Sequence, residues 1–355
     1  MPLEQNASTT APTPGLDRYA RQMLYPPLGR EGQERLQSSR VLVCGCGALG
    51  SLLANTLVRS GVGHVRVVDR DFIELNNLQR QFLFDETDIA AGLPKAVAAA
   101  NKLRAINSQV EVEAIVADVD FRNIEALCQN VDVIVDGTDN FETRFLLNDA
   151  AVKLGIPWIY GGAIGAEGRM LAILPGETPC LTCLMQDAPP PGTTPTCDTA
   201  GVLAPVIGVV ASLESLEAIK LLSGRREAVN PHLVVVDLWQ NQLRQVKVTG
   251  LREATDCRTC KQRDFVWLRG EQGSQPAVLC GRNAVQLSPT VTERISLPDL
   301  EQKLQGVGKV FRNAFLLRLN VDEYQITLFA DGRAIIGGTS DIGIARGIYA
   351  RYIGA

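Results

Sequence analysis

The chain has 355 residues, of which 46% are hydrophobic and 21% charged, and its formal net charge is -4. This composition excludes a fibrous or disordered chain and predicts a globular protein of about two domains. Because nucleic-acid phosphates require a basic face, the acidic balance gives no reason to expect a nucleic-acid partner. The longest apolar run, residues 201–213, is too short to span a membrane and contains Pro205, so it predicts a buried helix.

Residues 1–15 have neither a basic start nor an apolar stretch. They therefore predict a flexible leader and not a signal peptide. We expect the protein to remain in the cytoplasm and to have no membrane partner.

Residues 39–71 predict a βαβ unit, with a buried strand at 41–44, a glycine turn, a helix and a second strand that ends at Asp69. Gly45, Gly47 and Gly50 allow a phosphate to approach the N-terminus of the helix, where backbone N–H groups favour negative charge. Asp69 follows Gly50 by 19 residues, the spacing of a ribose-binding acid. The turn alone is a weak signal, because many nucleotide enzymes use one.

The loop after this acid, DRDFIELNNLQRQ at 69–81, is more polar than a dehydrogenase needs. Placed beyond a strand end, it could surround a triphosphate. The candidate nucleotide-binding residues in this loop are Asp69, Asp71, Asn76, Asn77, Gln79 and Arg80.

Three later residues are predicted to face the same crevice. Lys95 begins the next helix, and Asp139 and Asn140 follow a strand in DGTDN. Arg80 and Lys95 can offset the charge that develops on a leaving pyrophosphate, and Asp139 can hold Mg²⁺. This combination indicates phosphoryl chemistry, although any one of these residues alone could lie in a solvated loop.

Helix and strand patterns continue to alternate, with a helix at 95–107 and strands at 111–118 and 132–140. We therefore predict an α/β fold with a Rossmann-like, mostly parallel sheet and flanking helices.

The nine cysteines indicate metal or thiol chemistry, because the chain shows no secretion signal. Cys180 and Cys183 form one pair, and Cys257 and Cys260 form another, each with the two-residue gap of a tetrahedral zinc site. Four thiolate ligands leave no position for a reactive water. The predicted zinc is therefore structural.

Four of the other five cysteines fall into two groups. Cys197 lies in a proline-rich segment ahead of a predicted helix start, where a thiol can gain thiolate character and attack a reactive acyl group. An idle surface cysteine is the alternative for Cys197. Cys44, Cys46 and Cys128 have apolar surroundings and are predicted core residues. We assign no role to His64 or His232.

After Cys260 the composition changes, and residues 263–355 predict a small α+β domain. The patterns indicate a helix at 297–304, three short strands within 315–338 and a closing helix at 341–354. This domain could guide a protein partner or serve only as a scaffold.

Six sequence features together resemble the MoeB/ThiF/HesA family of adenylyltransferases, which are relatives of the E1 enzymes that activate ubiquitin. They are DRYARQ at 17–22, GCGALG at 45–50, residues 69–81, GLPK at 92–95, DGTDN at 136–140, and the two cysteine pairs. The resemblance covers residues 16–262 and implies the ThiF/E1-like fold for that domain.

The resemblance implies an enzyme that activates a ubiquitin-like sulfur carrier of the MoaD/ThiS type, ending in Gly-Gly. The terminal glycine carboxylate of the carrier would attack the α-phosphate of ATP to give an acyl-adenylate and pyrophosphate. This step belongs to sulfur transfer in molybdopterin, thiamine or related biosynthesis, with ATP, Mg²⁺ and Zn²⁺ as cofactors. A cysteine desulfurase or a rhodanese would be the sulfur donor, since we find no rhodanese-type C-R-x-G loop in this chain.

Residue roles follow from the family by motif position. They place Asp69 on the ribose, Arg80 and Lys95 on phosphates, and Asp139 at Mg²⁺. A cysteine at the position of Cys197 forms a covalent link in family members with thiol chemistry. Ala48 is a departure, because many relatives have a further glycine there; its methyl group would tighten the nucleotide fit.

The family forms a homodimer in which an N-terminal arginine, here Arg21, enters the partner's ATP site. The segment around Arg21 is apolar, and we expect its larger side chains to pack on the partner subunit. These side chains are Tyr19, Met23, Leu24 and Tyr25.

Two functions of other classes stay open. An NAD-dependent oxidoreductase would use the glycine turn for its dinucleotide, but the sequence offers no plausible proton-relay histidine. A non-catalytic nucleotide-binding adaptor would bind ATP without releasing pyrophosphate.

Overall fold

Two β-sheets organise the chain, and each contributes to its own hydrophobic core. The computed structural model describes residues 15–189, 200–272, 277–279, 283–287, 295–330 and 332–353. Residues 1–14 of the predicted leader and Cys197 lie outside the described residues.

The first sheet has eight strands in the order β3-β2-β1-β4-β5-β6-β7-β8. Its strands are β1 (Arg40–Cys44), β2 (His64–Val68), β3 (Glu111–Ile115), β4 (Val133–Asp136), β5 (Trp158–Ile164), β6 (Glu167–Ile173), β7 (Leu233–Asp237) and β8 (Gln242–Val246). Strands β1 to β5 are parallel, and β6 to β8 extend the sheet with antiparallel pairs. The predicted mostly parallel, Rossmann-like sheet is confirmed; its antiparallel extension was not predicted.

Helices cover both faces of this sheet. They are α1 (Ala20–Met23), α2 (Gly29–Ser38), α3 (Ala48–Ser60), α4 (Glu86–Ala91), α5 (Lys95–Ile106), α6 (Ile124–Leu127), α7 (Phe141–Leu154), α8 (Leu181–Leu184), α9 (Ala204–Leu222) and α10 (Leu251–Ala254), with 3-10 turns at Asp17–Tyr19, Leu75–Asn77 and Arg226–Ala228. One core lies under α3, α5 and α9, and a second lies under α7 around Trp158 and Phe145.

The apolar run that begins at Gly201 leads into α9, as its composition predicts. Pro205 occupies the first turn of this helix, where its missing N–H leaves no hydrogen bond unmade. The helix packs against α3, β5 and β6. None of the helices within the described ranges combines the length and apolar character that a membrane crossing requires.

The strand order reverses between β1 and β4, both of which are parallel to their neighbours. In open α/β sheets, ligands bind in the crevice beyond the carboxyl ends of the strands at such a reversal. We call this side of the sheet the carboxyl edge. Cys44, Val68 and Asp136 end β1, β2 and β4 there.

The C-terminal region forms a separate antiparallel sheet with helices on it, which confirms the predicted α+β character. Its elements are β9 (Ala277–Leu279), β10 (Ala284–Leu287), α11 (Leu297–Leu304), β11 (Lys309–Arg312), β12 (Leu316–Val321), β13 (Tyr324–Phe329), β14 (Ala334–Gly337) and α12 (Ile342–Tyr352), and the strand order is β11-β12-β13-β14-β10-β9. Strand β11 was not predicted, because its mostly exposed residues show no alternation of apolar and polar side chains.

The link between the two domains extends the second core, under α7. The Trp267 ring stacks on Phe145 of α7 with 5.5 Å between ring centroids, and its amide donates to Asp149 Oδ2 (3.0 Å). The predicted boundary at 262/263 therefore stays a prediction, and this packing favours a boundary a few residues later.

Candidate nucleotide and metal sites

The glycine turn after β1 accepts only residues without a side chain at two of its positions. Gly45 has a φ of +85°, and a Cβ atom there would lie 2.7 Å from the Gly137 carbonyl oxygen. A Cβ atom on Gly50 would lie 1.9 Å from the Gly45 carbonyl oxygen. By contrast, apart from Gly47 and its two chain neighbours, no described atom lies within 4 Å of the Cβ position of Gly47, and α3 begins directly after it at Ala48. The turn thus opens toward a helix N-terminus, which favours an anion.

Asp69 connects this turn to the loop after β2. Its Oδ2 accepts a hydrogen bond from the Cys46 amide (2.6 Å), and its Oδ1 accepts one from the Asp71 amide (2.6 Å). Burial raises the pKa of Asp69 above its ordinary value; Lys95 opposes this shift and Asp71 adds to it. The predicted ribose acid therefore lies beside the turn and also fixes its shape.

Lys95 lies next to the same acids. Its side chain is only 4% exposed, and its Nζ lies 3.3 Å from Asp71 Oδ2. The Lys95 amide donates to the Asp71 carbonyl (2.8 Å), and an antiparallel bridge joins Phe72 to Pro94. Residues 69–72 and 92–95, which we call the nucleotide loops, therefore form one paired unit at the carboxyl edge.

Arg70 is a charged group of this site that the sequence did not single out. Its Nη1 donates to both oxygens of Asp118 (2.9 Å each). Burial acts to lower the pKa of Arg70, but Asp118, Asp71 and Asp139 together raise it, so the guanidinium stays charged. The turn after β4 lies beside the glycine turn, because the Gly137 amide donates to the Cys44 carbonyl (2.8 Å).

The other predicted residues of the polar loop are held by one another. Asn77 is buried; its Oδ1 accepts from the Glu74 amide (3.2 Å) and its Nδ2 donates to Asn76 Oδ1 (2.8 Å). Arg80 donates to the Asn76 carbonyl (2.7 Å), and Gln79 is exposed. No hydrogen bond or ion pair among the described residues joins Arg80 to Asp69 or Lys95, so a phosphate contact by Arg80 stays a prediction.

The turn after β4 exposes Asp139 to solvent, and the buried ion pair of Asp136 and Arg144 supports this turn from beneath. Asp136 is fully buried and accepts from the Thr138 amide (2.9 Å) and hydroxyl (2.6 Å). Arg144 Nη2 donates to the Thr138 carbonyl (2.8 Å), which fixes the turn from below. Asn140 caps α7 by accepting from the Thr143 amide (2.8 Å). An exposed carboxylate on a rigid turn suits a Mg²⁺ ligand.

Glu214 of α9 is a second buried acid near this support. It is fully buried, and one of its oxygens fills the place that a Cβ atom on Gly161 would occupy. Burial raises the pKa of Glu214 well above its ordinary value, Asp136 adds to the rise, and Arg144 opposes it. The sequence does not distinguish this glutamate from Glu217, which follows three residues later on the same helix and is also buried.

The four paired cysteines come together in space. All four sulfurs lie within 4.8 Å of one another, with Sγ–Sγ distances of 3.8 Å for Cys180–Cys183, 3.6 Å for Cys180–Cys257 and 3.4 Å for Cys183–Cys260. Zn–S bonds of about 2.3 Å in a tetrahedron require sulfurs about 3.8 Å apart. The donor set and its spacing therefore fit one zinc ion with no open position.

Polar contacts hold the two cysteine loops against α7. The Leu181 amide donates to Asn148 Oδ1 (2.8 Å), whose Nδ2 donates to the Thr182 hydroxyl (3.0 Å). The Thr182 and Thr259 hydroxyls lie 3.0 Å apart, and Thr259 donates to Asp149 Oδ1 (3.1 Å). The cluster thus joins segments 77 residues apart in the chain.

The model of the ThiF family matches residues 19–259. The chain belongs to the ThiF family.

Its curated relatives include the sulfur carrier protein ThiS adenylyltransferase of Bacillus subtilis, which is 44% identical over 95% of this chain and 99% of the relative. The SAMP-activating enzyme E1 of Haloferax volcanii is 41% identical over 69% of this chain and 88% of the relative. Among solved structures, E. coli MccB with SeMet MccA superposes with a TM-score of 0.61 at 24% identity, over 70% of this chain and 75% of that one. This last likeness supports the fold alone.

The N-terminal segment of this ThiF-family chain corrects one expectation. Tyr19 is buried within its own chain, where its hydroxyl accepts from Asn107 Nδ2 (2.8 Å). The expected packing of this side chain on a partner subunit is therefore wrong. Leu24 and Tyr25 are 73% and 64% exposed. Arg21 is also exposed, and no described residue forms a hydrogen bond or ion pair with its guanidinium.

Two surfaces have an unusual share of exposed apolar side chains. The first, which we call the α3–α9 groove, is lined mainly by Leu52, Phe82, Pro205, Val209, Leu213 and Leu216. The second is the β7–β8 hairpin, where Trp239 is 75% exposed and Leu243 and Val246 of the edge strand β8 are also exposed. Because Asp237 pairs with Glu167 at the end of β5 and β6, this hairpin turns at the carboxyl edge.

Both histidines lie at the opposite edge. His64 begins β2, and His232 directly precedes β7. Neither can relay a proton at the nucleotide crevice, which disfavours the oxidoreductase alternative.

Cys44, Cys46 and Cys128 are buried, as predicted for core residues. Burial is the main cause that raises the pKa of each thiol, for Cys128 to about 12. Burial therefore disfavours the thiolate form at these three positions.

Proposed function

We propose that this ThiF-family protein adenylates the C-terminal glycine of a small ubiquitin-like sulfur carrier. The observation that supports this most directly is the convergence of three segments at the carboxyl edge. Asp69 accepts from the glycine turn, Lys95 lies against Asp71, and Asp139 stands on the turn after β4, whose Gly137 amide donates to the Cys44 carbonyl just before the glycine turn. These groups offer a turn suited to phosphate, the Lys95 cation and a carboxylate suited to a metal, and Arg80 is the proposed second cation.

The reaction follows from these groups. A carboxylate oxygen of the carrier bonds to the α-phosphorus of ATP, and the bond from that phosphorus to the bridging oxygen breaks. Pyrophosphate leaves with the electron pair, and the acyl-adenylate remains. Lys95 and Arg80 stabilise the charge that grows on the leaving group. Mg²⁺, when bound through Asp139, would neutralise phosphate oxygens.

The four-cysteine cluster is proposed to hold structural Zn²⁺. All four tetrahedral positions are taken by thiolates, so the ion would stabilise the loops and not activate water. The cytoplasmic location stays a prediction; it fits free thiols grouped in one cluster, since an oxidising compartment favours disulfides.

We propose that the protein is a homodimer through the α3–α9 groove. A contiguous apolar groove is uncommon on a monomer surface unless it binds a partner. Leu24 and Tyr25 would add to the same interface, and the exposed Arg21 beside them would enter the partner's ATP site.

The carrier is proposed to dock on the β7–β8 hairpin. An edge strand offers unpaired backbone groups, and Trp239 offers a large apolar anchor. Because the hairpin turns at the carboxyl edge, a docked carrier can extend its Gly-Gly tail along that edge to the α-phosphate.

The carrier class and sulfur chemistry are proposals as well. The relative that aligns over almost the whole chain is named a ThiS adenylyltransferase, which favours a ThiS-type carrier and thiamine biosynthesis over a MoaD-type carrier and molybdopterin biosynthesis. A cysteine desulfurase or a rhodanese would then supply sulfur. Cys197, which lies outside the described residues, stays a candidate for a covalent link to the carrier.

The test is ATP–pyrophosphate exchange with a ThiS-type carrier, a MoaD-type carrier, and each carrier without its terminal glycine. We expect exchange with an intact carrier and none with the truncated forms. If the protein binds ATP but shows no pyrophosphate exchange with either intact carrier, the adaptor alternative is favoured and the proposal is refuted.

A further inference from the structure

The C-terminal domain contacts the first domain at the nucleotide loops. Three of its residues reach these loops or the loop after β3 beside them. Asn313 lies between β11 and β12, Gln286 lies on β10, and Phe329 ends β13. These residues come from three different strands or loops of one sheet, so together they form a broad contact.

Asn313 holds the second nucleotide loop. Its Nδ2 donates to the Gly92 carbonyl (2.7 Å). Its Oδ1 accepts from the Phe315 and Leu316 amides (2.8 and 3.0 Å), which fixes the orientation of the amide. Gly92 has a φ of +61°, and a Cβ atom on it would lie 3.3 Å from the Phe311 ring, so the two domains approach closely here.

Gln286 supports the first nucleotide loop through an intermediate acid. This buried side chain donates from Nε2 to Asp118 Oδ2 (2.7 Å). Asp118 in turn accepts both hydrogen bonds from Arg70, the residue directly after Asp69. The position of Arg70, and with it the backbone of Asp69, therefore depends on a residue of the C-terminal sheet.

Phe329 packs on the same loop from its other end. Its ring centroid lies 5.8 Å from that of Phe72, and the Arg333 guanidinium lies 4.7 Å over the Phe329 ring. Phe72 and Pro94 form the bridge that joins the two nucleotide loops. The C-terminal domain thus touches this paired unit at both loops and at the bridge between them.

We propose that the C-terminal domain positions the nucleotide loops for ATP, with Asn313 and Gln286 as positioning residues that act through Gly92 and Asp118. The domain is then part of the ATP site and not a passive appendage. An ordered loop loses less conformational entropy when ATP binds, so this contact should increase the affinity for ATP. The proposal rests on the proposed use of ATP.

The test compares the full-length protein with the double variant Asn313→Ala/Gln286→Leu. The double variant removes both hydrogen-bond donors, and the leucine fills the space of Gln286 on β10 with an apolar side chain. The matched control is Arg312→Ala, which breaks the Arg312–Glu301 pair inside the C-terminal domain and leaves the nucleotide loops untouched. ATP affinity is measured by calorimetry without carrier, and amide hydrogen exchange is followed at 69–72 and 92–95.

Loss of two hydrogen bonds should weaken ATP binding about tenfold. We expect a similar rise of KM for ATP in pyrophosphate exchange, kcat within about twofold, and faster amide exchange in both nucleotide loops. The control should match the wild type in all four quantities. ATP affinity within twofold of the wild type, with the loops exchanging faster or unchanged, would overturn the positioning role. Wild-type protein that binds no ATP would instead refute the proposed function itself.

Discussion

Arg144 Nε lies 3.5 Å from Asp136 Oδ2, and both side chains are buried beneath the turn that presents Asp139. The same guanidinium donates to the Thr138 carbonyl and to the Gly161 carbonyl (3.1 Å). Since β4 and β5 are thereby joined under one turn, the position of Asp139 depends mainly on the interior, and its own side chain adds only a long hydrogen bond from Asn140 Nδ2 (3.4 Å). Its replacement should therefore affect chemistry more than folding.

Asp139→Ala should reduce ATP–pyrophosphate exchange by roughly 100-fold or more, because it removes the carboxylate proposed to hold Mg²⁺. Asp139→Asn should lose nearly as much, since an amide keeps the shape but not the charge. The melting temperature should change little, as the side chain is exposed. Glu31→Ala, an exposed acid on α2, serves as the control. Exchange at the wild-type rate in the alanine variant would show that the metal lies elsewhere.

Removal of zinc should destabilise the protein without a direct effect on nucleotide affinity. We expect about one zinc per chain, and a melting temperature lowered by roughly 10 °C after chelation or in Cys183→Ser. Cys128→Ser buries the same hydroxyl in the core but should keep its zinc, which separates loss of metal from loss of packing. Purified protein with less than half an equivalent of zinc, and no response to a chelator, would contradict the site.

Arg21→Ala should lower the exchange rate by about 10³-fold if the guanidinium acts as an arginine finger in the partner's site. Arg18→Ala in the same segment is the control, because Arg18 donates to the Ile106 carbonyl of its own chain. Mixing decides the direction of the contact: Arg21→Ala and Asp139→Ala chains should regain activity together, since a heterodimer has one complete site. If confirmed subunit exchange restores nothing, the arginine does not act across the interface.

Glu214→Gln should change how stability depends on pH. Because burial raises the pKa of Glu214 above its ordinary 4.5, the folded state binds more protons than the unfolded state above that pH, and wild-type stability falls as pH rises. Because glutamine does not titrate, the variant does not lose stability in this way. Urea unfolding at pH 5, 6.5 and 8 should therefore show the variant gaining on the wild type as pH increases. Exposed Glu167→Gln is the control, and parallel curves for wild type and Glu214→Gln would disprove the prediction.

Trp239→Ala should raise KM for the carrier by about 10- to 30-fold, because an exposed tryptophan is a typical binding anchor. ATP affinity should be unchanged, since the hairpin is separate from the nucleotide loops. Val307→Ala, which removes an exposed apolar side chain of the C-terminal domain, is the matched control. An unchanged KM for the carrier would place docking on another surface.

Short-range features of the sequence determined the parts of this protein that depend on local geometry. Gly45 and Gly50 mark the turn because only glycine avoids the backbone contacts there, and this requirement is visible in the spacing itself. The two cysteine pairs predicted their cluster because a two-residue gap already places two sulfurs on one ion. The alternation of helix and strand patterns likewise predicted the parallel sheet, and Asp69 follows from its distance to the turn.

Tertiary structure alone decided which distant residues meet. Whether Asp71 faces Lys95, Arg144 faces Asp136, or Asn313 reaches Gly92 depends on how separate elements pack, and no local pattern encodes that. Tyr19 shows the same limit. Its apolar segment predicted a contact with a partner subunit, but the Tyr19 ring is buried in its own chain and its hydroxyl accepts from Asn107. Burial and long-range pairing arise from the free energy of the whole fold, so they become visible only once the chain has packed.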